Sequence, residues 1–219
     1  MPYSTLRQKK TELIRKARDG SVFIAPSTAT AITTLTSGVT SDLAALPTGY
    51  KDLGWISQDG ASYARTTEVS EVNSFGSVEP TRSDTTRDVI TLSVTAQETN
   101  IITMGLYTGA DLSALEANAT TGEVGIAKPS RPGFRYYRVL GLYVDDGDAG
   151  EIYMARYMPR AKVTEVSEQV FTDGDDPISY GVTFQGYEDS VLGYSHKWFW
   201  GGPGWEALLA SMGITQDTP

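Results

Sequence analysis

Few residues in this chain of 219 are suited to acid–base, nucleophilic or metal chemistry. There is no Cys, and the single His, His196, lies between Ser195 and Lys197 in an aromatic stretch. A catalytic His needs a nucleophile and an orienting acid beside it, and the sequence offers no convincing set. A site that needs thiolates or two imidazoles from one chain is excluded. His196 is therefore predicted to serve packing or to lie at the surface.

Two acid-rich stretches have metal-like spacing but the wrong pattern. Residues 145–151 (DDGDAGE) and 173–177 (DGDDP) do not match the calcium-loop sequence, and both are typical of polar hairpin turns. The glycines of 201–204 (GGPG) lack the Lys of a phosphate-binding loop. We therefore predict no catalytic residue, cofactor site or metal site, and no enzymatic activity.

Charge is segregated along the chain. Residues 1–18 carry one acid and six basic side chains, for a net charge of +5. Since the whole chain has a formal charge of −9, the other 201 residues carry −14. Such a basic arm can dock on an acidic neighbouring copy, and heterologous contacts of this kind build rings or filaments. The alternative is a solvated or disordered tail. The basic residues are Arg7, Lys9, Lys10, Arg15, Lys16 and Arg18.

The spacing of apolar residues predicts a mainly β protein. A helix is expected over 4–19, capped by Ser4, and a second over 97–107. The segment 26–49 has one charged residue and is expected to be a long surface segment with short strand pieces near 32–35. A further helix is expected over 205–212.

Hairpins account for most of the expected strands. Asp59-Gly60 predicts a tight turn between a strand that ends at 57 and a long strand over 61–72. Residues 73–88 are expected to form an extended loop before the alternating strand 89–96. Further hairpins are predicted over 134–157 and 162–187. The fold class is therefore an antiparallel β-sandwich or partial barrel with one flanking helix and two terminal arms. No apolar run reaches the length of a membrane helix.

Two surface features suggest assembly. Acids recur along strands, at Glu68 and Glu71 and again at Glu165 and Glu168; they are solvated outer faces, or they line a passage. The segment 194–205 is too aromatic to be left in water, so it packs on its own domain or on a neighbour. Its tryptophans include Trp198, Trp200 and Trp205.

Residues 53–100, which begin LGWISQDGASYARTTEVSEV and end VITLSVTAQETN, resemble the major tail protein, or tail tube protein, of long flexible-tailed phages. The version in phages of actinobacteria is the most similar. The later runs RYYRVLGLYVDDGDAGEIYMARYMPRAKVTEVSEQVF and ISYGVTFQGYED fit the same family, so the resemblance spans about residues 20–200.

This resemblance implies a virion protein, made in the host cytoplasm, whose hexameric rings stack into a hollow tube for ejection of double-stranded DNA. The implied partners are other copies, a tape measure protein, a tail terminator and tail tip proteins; no membrane is involved. The implied domains are a basic arm (1–19), a tail-tube β domain (20–190) and an aromatic arm (191–219).

Site residues follow from the same resemblance. The lumen candidates are Glu68, Glu71, Glu165 and Glu168. The candidates for contacts between subunits or rings are the six basic residues of the arm, the three tryptophans, and Glu79, Arg82, Asp84 and Arg87; the segment 26–49 is a further stacking candidate. The alternatives are a monomeric carbohydrate-binding β-sandwich, with the tryptophans stacking on sugars, and a related injection-system or baseplate component.

Overall fold

Antiparallel strands form most of the structure, a computed structural model that describes residues 1–130, 133 and 135–217. In this part of the chain the strands are β1 (Asp19–Pro26), β2 (Thr36–Ser37), β3 (Asp42–Leu43), β4 (Lys51–Asp52), β5 (Ile56–Val72), β6 (Arg82–Ala96), β7 (Tyr137–Gly147), β8 (Gly150–Val166), β9 (Tyr180–Gly186) and β10 (Lys197–Gly201). The helices there are α1 (Tyr3–Leu6), α2 (Ile101–Thr108), α3 (Pro203–Glu206) and α4 (Leu209–Met212). No helix among them is long and apolar enough to span a membrane.

One antiparallel sheet has the order β4-β1-β7-β8-β9-β6-β5, and β10 also pairs with β8. The 17-residue strand β8 joins the two halves of this sheet. The first half-sheet contains β4, β1, β7 and the first part of β8, and the second contains the last part of β8 with β9, β6 and β5. The first part of β8 pairs with β7 and β10, and the part from Ala161 to Val166 pairs with β9. The sheet therefore folds over on itself without closing into a barrel, which confirms the predicted mainly β, antiparallel fold class.

The main core lies between the two halves of the sheet. Val22 and Val139 from the first half share a buried cluster with Leu92 and Phe184 from the second. Leu106 of α2 completes this cluster. Asn100 caps α2 by accepting hydrogen bonds from the N–H groups of residues 102 and 103, which explains why the helix predicted over 97–107 begins at 101.

A second core holds the neutral segment 26–49 against the outer side of the first half-sheet. Ile32 and Leu35 are buried beside Phe199. The Tyr157 hydroxyl accepts a hydrogen bond from the Ile32 N–H (3.3 Å) and lies 3.2 Å from the Tyr50 hydroxyl. Burial raises the pKa of Tyr50, and the hydrogen bond with the Tyr157 hydroxyl raises it further. The short strands of the segment are β2 and β3, later in the chain than the expected pieces near 32–35.

The predicted hairpin at Asp59-Gly60 is wrong. β5 continues through these residues and stays paired with β6 on both sides, Ile56 with Ala96 and Ala61 with Val94. Residues 57–60 therefore bulge out opposite a single residue of β6, and Gly60 supplies the positive φ of +70° that the bulge needs. An Asp-Gly pair between strand-like runs also suits a bulge, because both need a left-handed residue.

The extended loop predicted over 73–88 is too long. β6 begins at Arg82, so the loop is limited to residues 73–81. Strand pairing there depends on polar contacts, since Arg65 binds Asp88 and Arg87 binds Glu68 across the two strands. A two-stranded segment that is exposed on both faces lacks the apolar alternation by which strands are recognised.

The helix predicted over 4–19 is also wrong. Only α1 and a 3₁₀ turn at Thr11–Leu13 are helical, and the cap assigned to Ser4 lies outside the described side chains. Leu6 and Ile14 are exposed, so the apolar stripe has nothing to pack on. A short helix without tertiary packing is marginal in water. The helix expected over 205–212 is divided into α3 and α4.

The hairpins β7–β8 and β8–β9 confirm the pairing predicted around the two acid-rich turns. The strands expected over 151–157 and 162–171 are, however, one continuous strand that ends at Val166. Phe134, the expected start of the first, lies outside the described residues.

Candidate assembly surfaces

The second half-sheet has a polar face on the side opposite the main core, and we call it the polar face. Leu92, Val94, Val182 and Phe184 point into the core, so their neighbours along β6 and β9 point outward. The Ser93 and Thr183 hydroxyls lie 2.9 Å apart on this face. Following the register across the four strands, the face consists of Ser62, Ala64, Thr66, Glu68, Arg87, Val89, Thr91, Ser93, Thr95, Lys162, Glu165, Gly181, Thr183 and Gln185.

Two of the four lumen candidates share this face. Glu68 and Glu165 lie on it, at opposite edges of the four strands. Glu71 is three residues beyond Glu68 on the same strand, and strict alternation turns it to the other side. Glu168 follows the end of β8. The acids on the face are accompanied by bases, because Arg87 donates to Glu68 (2.9 Å) and Lys162 is the neighbour of Glu165 along β8. The face is thus rich in hydroxyl groups and close to neutral.

β5 and β6 extend beyond the rest of the sheet as a two-stranded projection, which we call the ribbon (residues 65–88). β9 pairs with β6 only from Thr91 onward, and the ribbon side chains are exposed up to Asp88. Arg65 binds Asp88 through two hydrogen bonds of 2.8 and 2.5 Å and lowers the pKa of that carboxyl. Arg82 binds Asp84 through two more, of 2.6 and 3.0 Å. The Arg65–Asp88 pair joins β5 to β6 and so helps to define their register, whereas Arg82 and Asp84 both lie on β6.

The turn of the ribbon, residues 73–81, carries apolar side chains into solvent. Phe75 and Val78 are fully exposed. The turn is nevertheless ordered by hydrogen bonds, because the Ser77 N–H donates to the Ser74 carbonyl (3.1 Å) and the Ser74 and Thr81 hydroxyls are 2.7 Å apart. An ordered, exposed apolar tip is typical of a contact surface. Sequence reasoning selected Glu79 here and missed Phe75 and Val78.

The basic arm is bound at its inner end to its own chain. The Arg18 N–H donates to the Val144 carbonyl (2.9 Å), and Arg18 also pairs with Asp146. Arg15 pairs with the buried Asp145 at 3.3 Å. Both acids belong to the first acid-rich turn, so that turn is an anchor for the arm.

The outer end of the arm is less constrained. Lys10 reaches the Ser211 carbonyl (2.5 Å), and the described contacts include no ion pair for Arg7 or Lys9. The Lys16 backbone N–H donates to the Asp145 carboxylate (3.3 Å), although Lys16 itself is exposed. The Arg15 and Arg18 side chains therefore form ion pairs within the chain, and Lys10 makes one hydrogen bond to it. The described ion pairs include none for the Arg7, Lys9 or Lys16 side chain.

The aromatic C-terminal segment packs on its own domain, one of the two alternatives drawn from the sequence. β10 pairs with β8, so Phe199 is buried in the second core. Trp198 and Trp200 point to the other face and are partly exposed. Trp205 stacks on Trp200, with ring centroids 6.0 Å apart. The three tryptophans predicted to make contacts between subunits thus form one surface at β10, which we call the aromatic surface.

Next to this surface, the two halves of the sheet part and leave a cleft of about 820 Å³, the inter-sheet cleft. Its lining includes Trp55, Gln58, Tyr63, Tyr143, Met154 and Arg156. The Arg156 guanidinium lies 5.1 Å from the Trp200 ring and 5.9 Å from the Trp198 ring. The Tyr63 and Tyr143 hydroxyls are 3.1 Å apart across the cleft. No pattern in the sequence brings these residues together.

His196 is a packing residue beside Trp198 and Tyr63. It is buried, and its ring centroid is 4.5 Å from that of Trp198. Neither ring nitrogen has a hydrogen-bond partner within the described part of the chain. Burial, together with the charge of Arg156, lowers the pKa of His196 to about 4. The described residues also contain no group of three His, Asp or Glu side chains that could hold a metal ion.

Comparison with known proteins agrees with this architecture. A search of curated proteins returns no match to the chain. A family model described as phage tail tube protein matches residues 8–200, which is most of the chain and includes the polar face, the ribbon and the inter-sheet cleft. The match confirms the resemblance at the level of the family and implies a structural component of the virion tail. The chain belongs to the phage tail tube protein family.

Proposed function

We propose that six copies of this chain form a ring, and that rings stack into a hollow tube through which double-stranded DNA leaves the phage. The polar face is the observation that carries this proposal. A four-stranded half-sheet, apolar on one side and hydroxyl-rich on the other, suits the wall of a water-filled channel. The protein acts as a structural subunit and not as an enzyme.

Ring closure follows from the edges of the half-sheet. β5 has β6 as its partner and an open second edge in the described part of the chain, and β8 has an open edge from Lys162 to Val166. Long open edges tend to pair with another chain. Pairing of β5 in one copy with β8 in the next would continue the sheet around a ring.

The resulting barrel would be wide enough for its cargo. Four strands from each of six copies make twenty-four strands, and a spacing of about 4.8 Å with a tilt of about 40° gives roughly 48 Å between opposite backbones. Side chains narrow this lumen, but a DNA duplex still passes. A hydroxyl-rich, nearly neutral wall lets DNA slide, because tight phosphate binding needs clustered Lys and Arg.

The other surfaces are proposed to join copies. The ribbon, with Glu79, Arg82, Asp84 and Arg87, reaches toward the adjacent ring. The outer basic arm, with Arg7, Lys9 and Lys10, docks on acidic surfaces of a neighbour, and the segment 26–49 and the aromatic surface are further contact sites. Assembly starts at the tail tip around a tape measure protein and ends at a terminator. We also propose production in the host cytoplasm, the three domains at 1–19, 20–190 and 191–219, and an actinobacterial host.

Negative-stain electron microscopy of the purified chain across a concentration series tests this function. Hollow tubes or stacked rings are the expected result. Single rings that never stack would favour the related injection-system or baseplate component. Monomers that bind glycans and remain monomeric when tail tips are added would contradict the proposal and favour the carbohydrate-binding alternative.

A further inference from the structure

Arg156 is a partly buried cation that forms no ion pair with any other described residue. It lines the inter-sheet cleft between Trp198 and Trp200, and none of the ion pairs in the described residues includes it. Its Nη1 atom is buried and has no hydrogen-bond partner in the part of the chain that the structure describes. Burial also lowers the pKa of Arg156. Because a partly desolvated guanidinium is costly without an anion, this end of the cleft favours a carboxylate.

The cleft residues beside Arg156 are aromatic or apolar, while the acids Asp19, Asp52, Asp59 and Glu98 line other parts of the cleft. Trp55 is exposed at the rim, and Tyr63, Tyr143 and Met154 line the interior. Gly141 permits the close approach of the two tyrosines, because a Cβ there would lie 2.0 Å from the Tyr63 hydroxyl. A fitting ligand is a short peptide segment with a large apolar side chain and an adjacent acid.

The ribbon tip has this chemistry. Phe75 and Val78 project fully into solvent, and the exposed Glu79 follows directly. The hydrogen bonds of the turn hold these side chains in place before any contact is made, which reduces the entropy lost on binding.

The cleft and the tip lie at opposite ends of the same strand. β5 lines the cleft from Ile56 to Tyr63 and reaches the tip after Val72. At about 3.3 Å per residue, Tyr63 and Val72 are about 30 Å apart, so the tip of a straight ribbon does not reach its own cleft. A contact between the tip of one copy and the cleft of another is head-to-tail, and such contacts propagate.

A second exposed apolar and acidic loop is less suitable. Residues 167–179 include the exposed Phe171 and the acids of the second acid-rich turn. This loop ends at Tyr180, which pairs with Ala96, the partner of Ile56. The loop therefore emerges at the same end of the half-sheet as the cleft. A head-to-tail contact joins opposite ends of two copies, so it does not bring this loop to the cleft of the next copy.

We propose that the ribbon tip of one copy binds in the inter-sheet cleft of a second copy, with Phe75 and Val78 against the aromatic wall and Glu79 facing Arg156. This inference rests on the proposed tube and names the surfaces that hold its rings together.

Disulfide trapping tests the contact directly, because the natural chain has no Cys. The full-length double variant Val78→Cys/Gln58→Cys places one thiol on the tip and one on the exposed rim of the cleft. The matched control, Val78→Cys/Thr172→Cys, moves the second thiol to the 167–179 loop. Assembled protein is oxidised and separated on a non-reducing gel. We expect a ladder of covalent multimers from the cleft pair and little cross-linking from the control.

The outcomes separate this inference from the proposed function. Tubes without a ladder from the cleft pair would overturn the tip-to-cleft contact and leave the tube intact. Absence of tubes would count against the proposed function. In that case, cross-linking is measured on concentrated protein: a ladder of multimers supports the tip-to-cleft contact, and the absence of a ladder overturns it.

Charge exchange gives an independent test. Arg156→Glu and Glu79→Arg are each expected to raise the critical concentration for assembly about tenfold, equivalent to about 1.4 kcal/mol, and the double variant should restore it. Circular dichroism checks that each variant is folded. If a folded double variant assembles as poorly as Arg156→Glu alone, the pairing is wrong; Glu79→Gln then shows whether that acid contributes to assembly at all.

Discussion

Replacing Arg15 with Ala should destabilise the folded chain more than replacing Arg18, although both arginines pair with the same turn. The Arg15–Asp145 pair is 3.3 Å long, and its side chains are only 19 % and 9 % exposed. At an effective dielectric constant of about 20, charges at this distance attract by about 5 kcal/mol. Desolvation offsets most of this attraction, and Asp145 keeps the hydrogen bond from the Lys16 N–H. We therefore expect a net loss of about 1.5 kcal/mol.

Arg18→Ala is the matched control. The side chains of Arg18 and Asp146 are 62 % and 60 % exposed, so their pair is screened by solvent and contributes about 0.5 kcal/mol or less. Urea unfolding of the monomer, followed by Trp fluorescence, measures both variants. With an m-value of about 2.5 kcal/mol/M, the midpoint falls by about 0.6 M for Arg15→Ala and by about 0.2 M for Arg18→Ala. An unchanged midpoint for Arg15→Ala, or a larger shift for Arg18→Ala, would refute the assignment of Asp145 as the anchor of the arm.

Three further predictions concern the polar face, the cleft and His196. Glu68→Lys/Glu165→Lys should leave tubes intact but slow DNA ejection in a salt-dependent way, because the face then carries four cations per copy; ejection at the normal rate would argue against a lumenal position. Gly141→Ala should cost about 1–3 kcal/mol in urea unfolding by displacing Tyr63. Gly125→Ala should leave the free energy of unfolding nearly unchanged, because a Cβ there meets no atom of the described residues within 4 Å. Because folding lowers the pKa of His196 from 6.5 to about 4, the contribution of its neutral ring is complete above pH 6.5 and is lost on acidification toward pH 4, by up to about 3 kcal/mol. His196→Phe should flatten that part of the pH profile, and identical profiles would count against the buried, unpaired ring.

The main sheet could be predicted because its strands alternate clearly. Ile90, Leu92 and Val94 point to one side of β6, and this period-two pattern indicates a strand with one buried face. The hairpins around the acid-rich turns were found for the same reason. The family resemblance then supplied the roles of the surfaces, which composition and spacing alone do not give.

The errors have a common physical origin. Asp59-Gly60 suits both a hairpin and a bulge, and only the continued pairing of Ile56 and Ala61 with β6 decides between them. The second strand of the ribbon, residues 82–88, falls within the predicted loop 73–88 because its register depends on cross-strand charges, such as Arg87 with Glu68, and not on an apolar face. These opposite charges are visible in the sequence and could have indicated the pairing.

The arm and the cleft were beyond sequence reasoning for a different reason. Arg15 lies 130 residues from its partner Asp145, and contacts at such a separation follow from the tertiary fold. Arg156 and Trp198 likewise meet only because β10 returns to pair with β8. The charge of the arm is visible in the sequence, but the pairing of Arg15 and Arg18 with acids of the same chain is not.

The most direct test of the central claim is a cryo-electron microscopy reconstruction of the assembled protein at a resolution that separates strands. We predict a tube in which the β5-β6-β9-β8 half-sheets of neighbouring copies form one continuous barrel, with Ser93 and Glu165 at the lumen. A tube whose lumen is lined by another surface, with the polar face turned outward, would contradict the account.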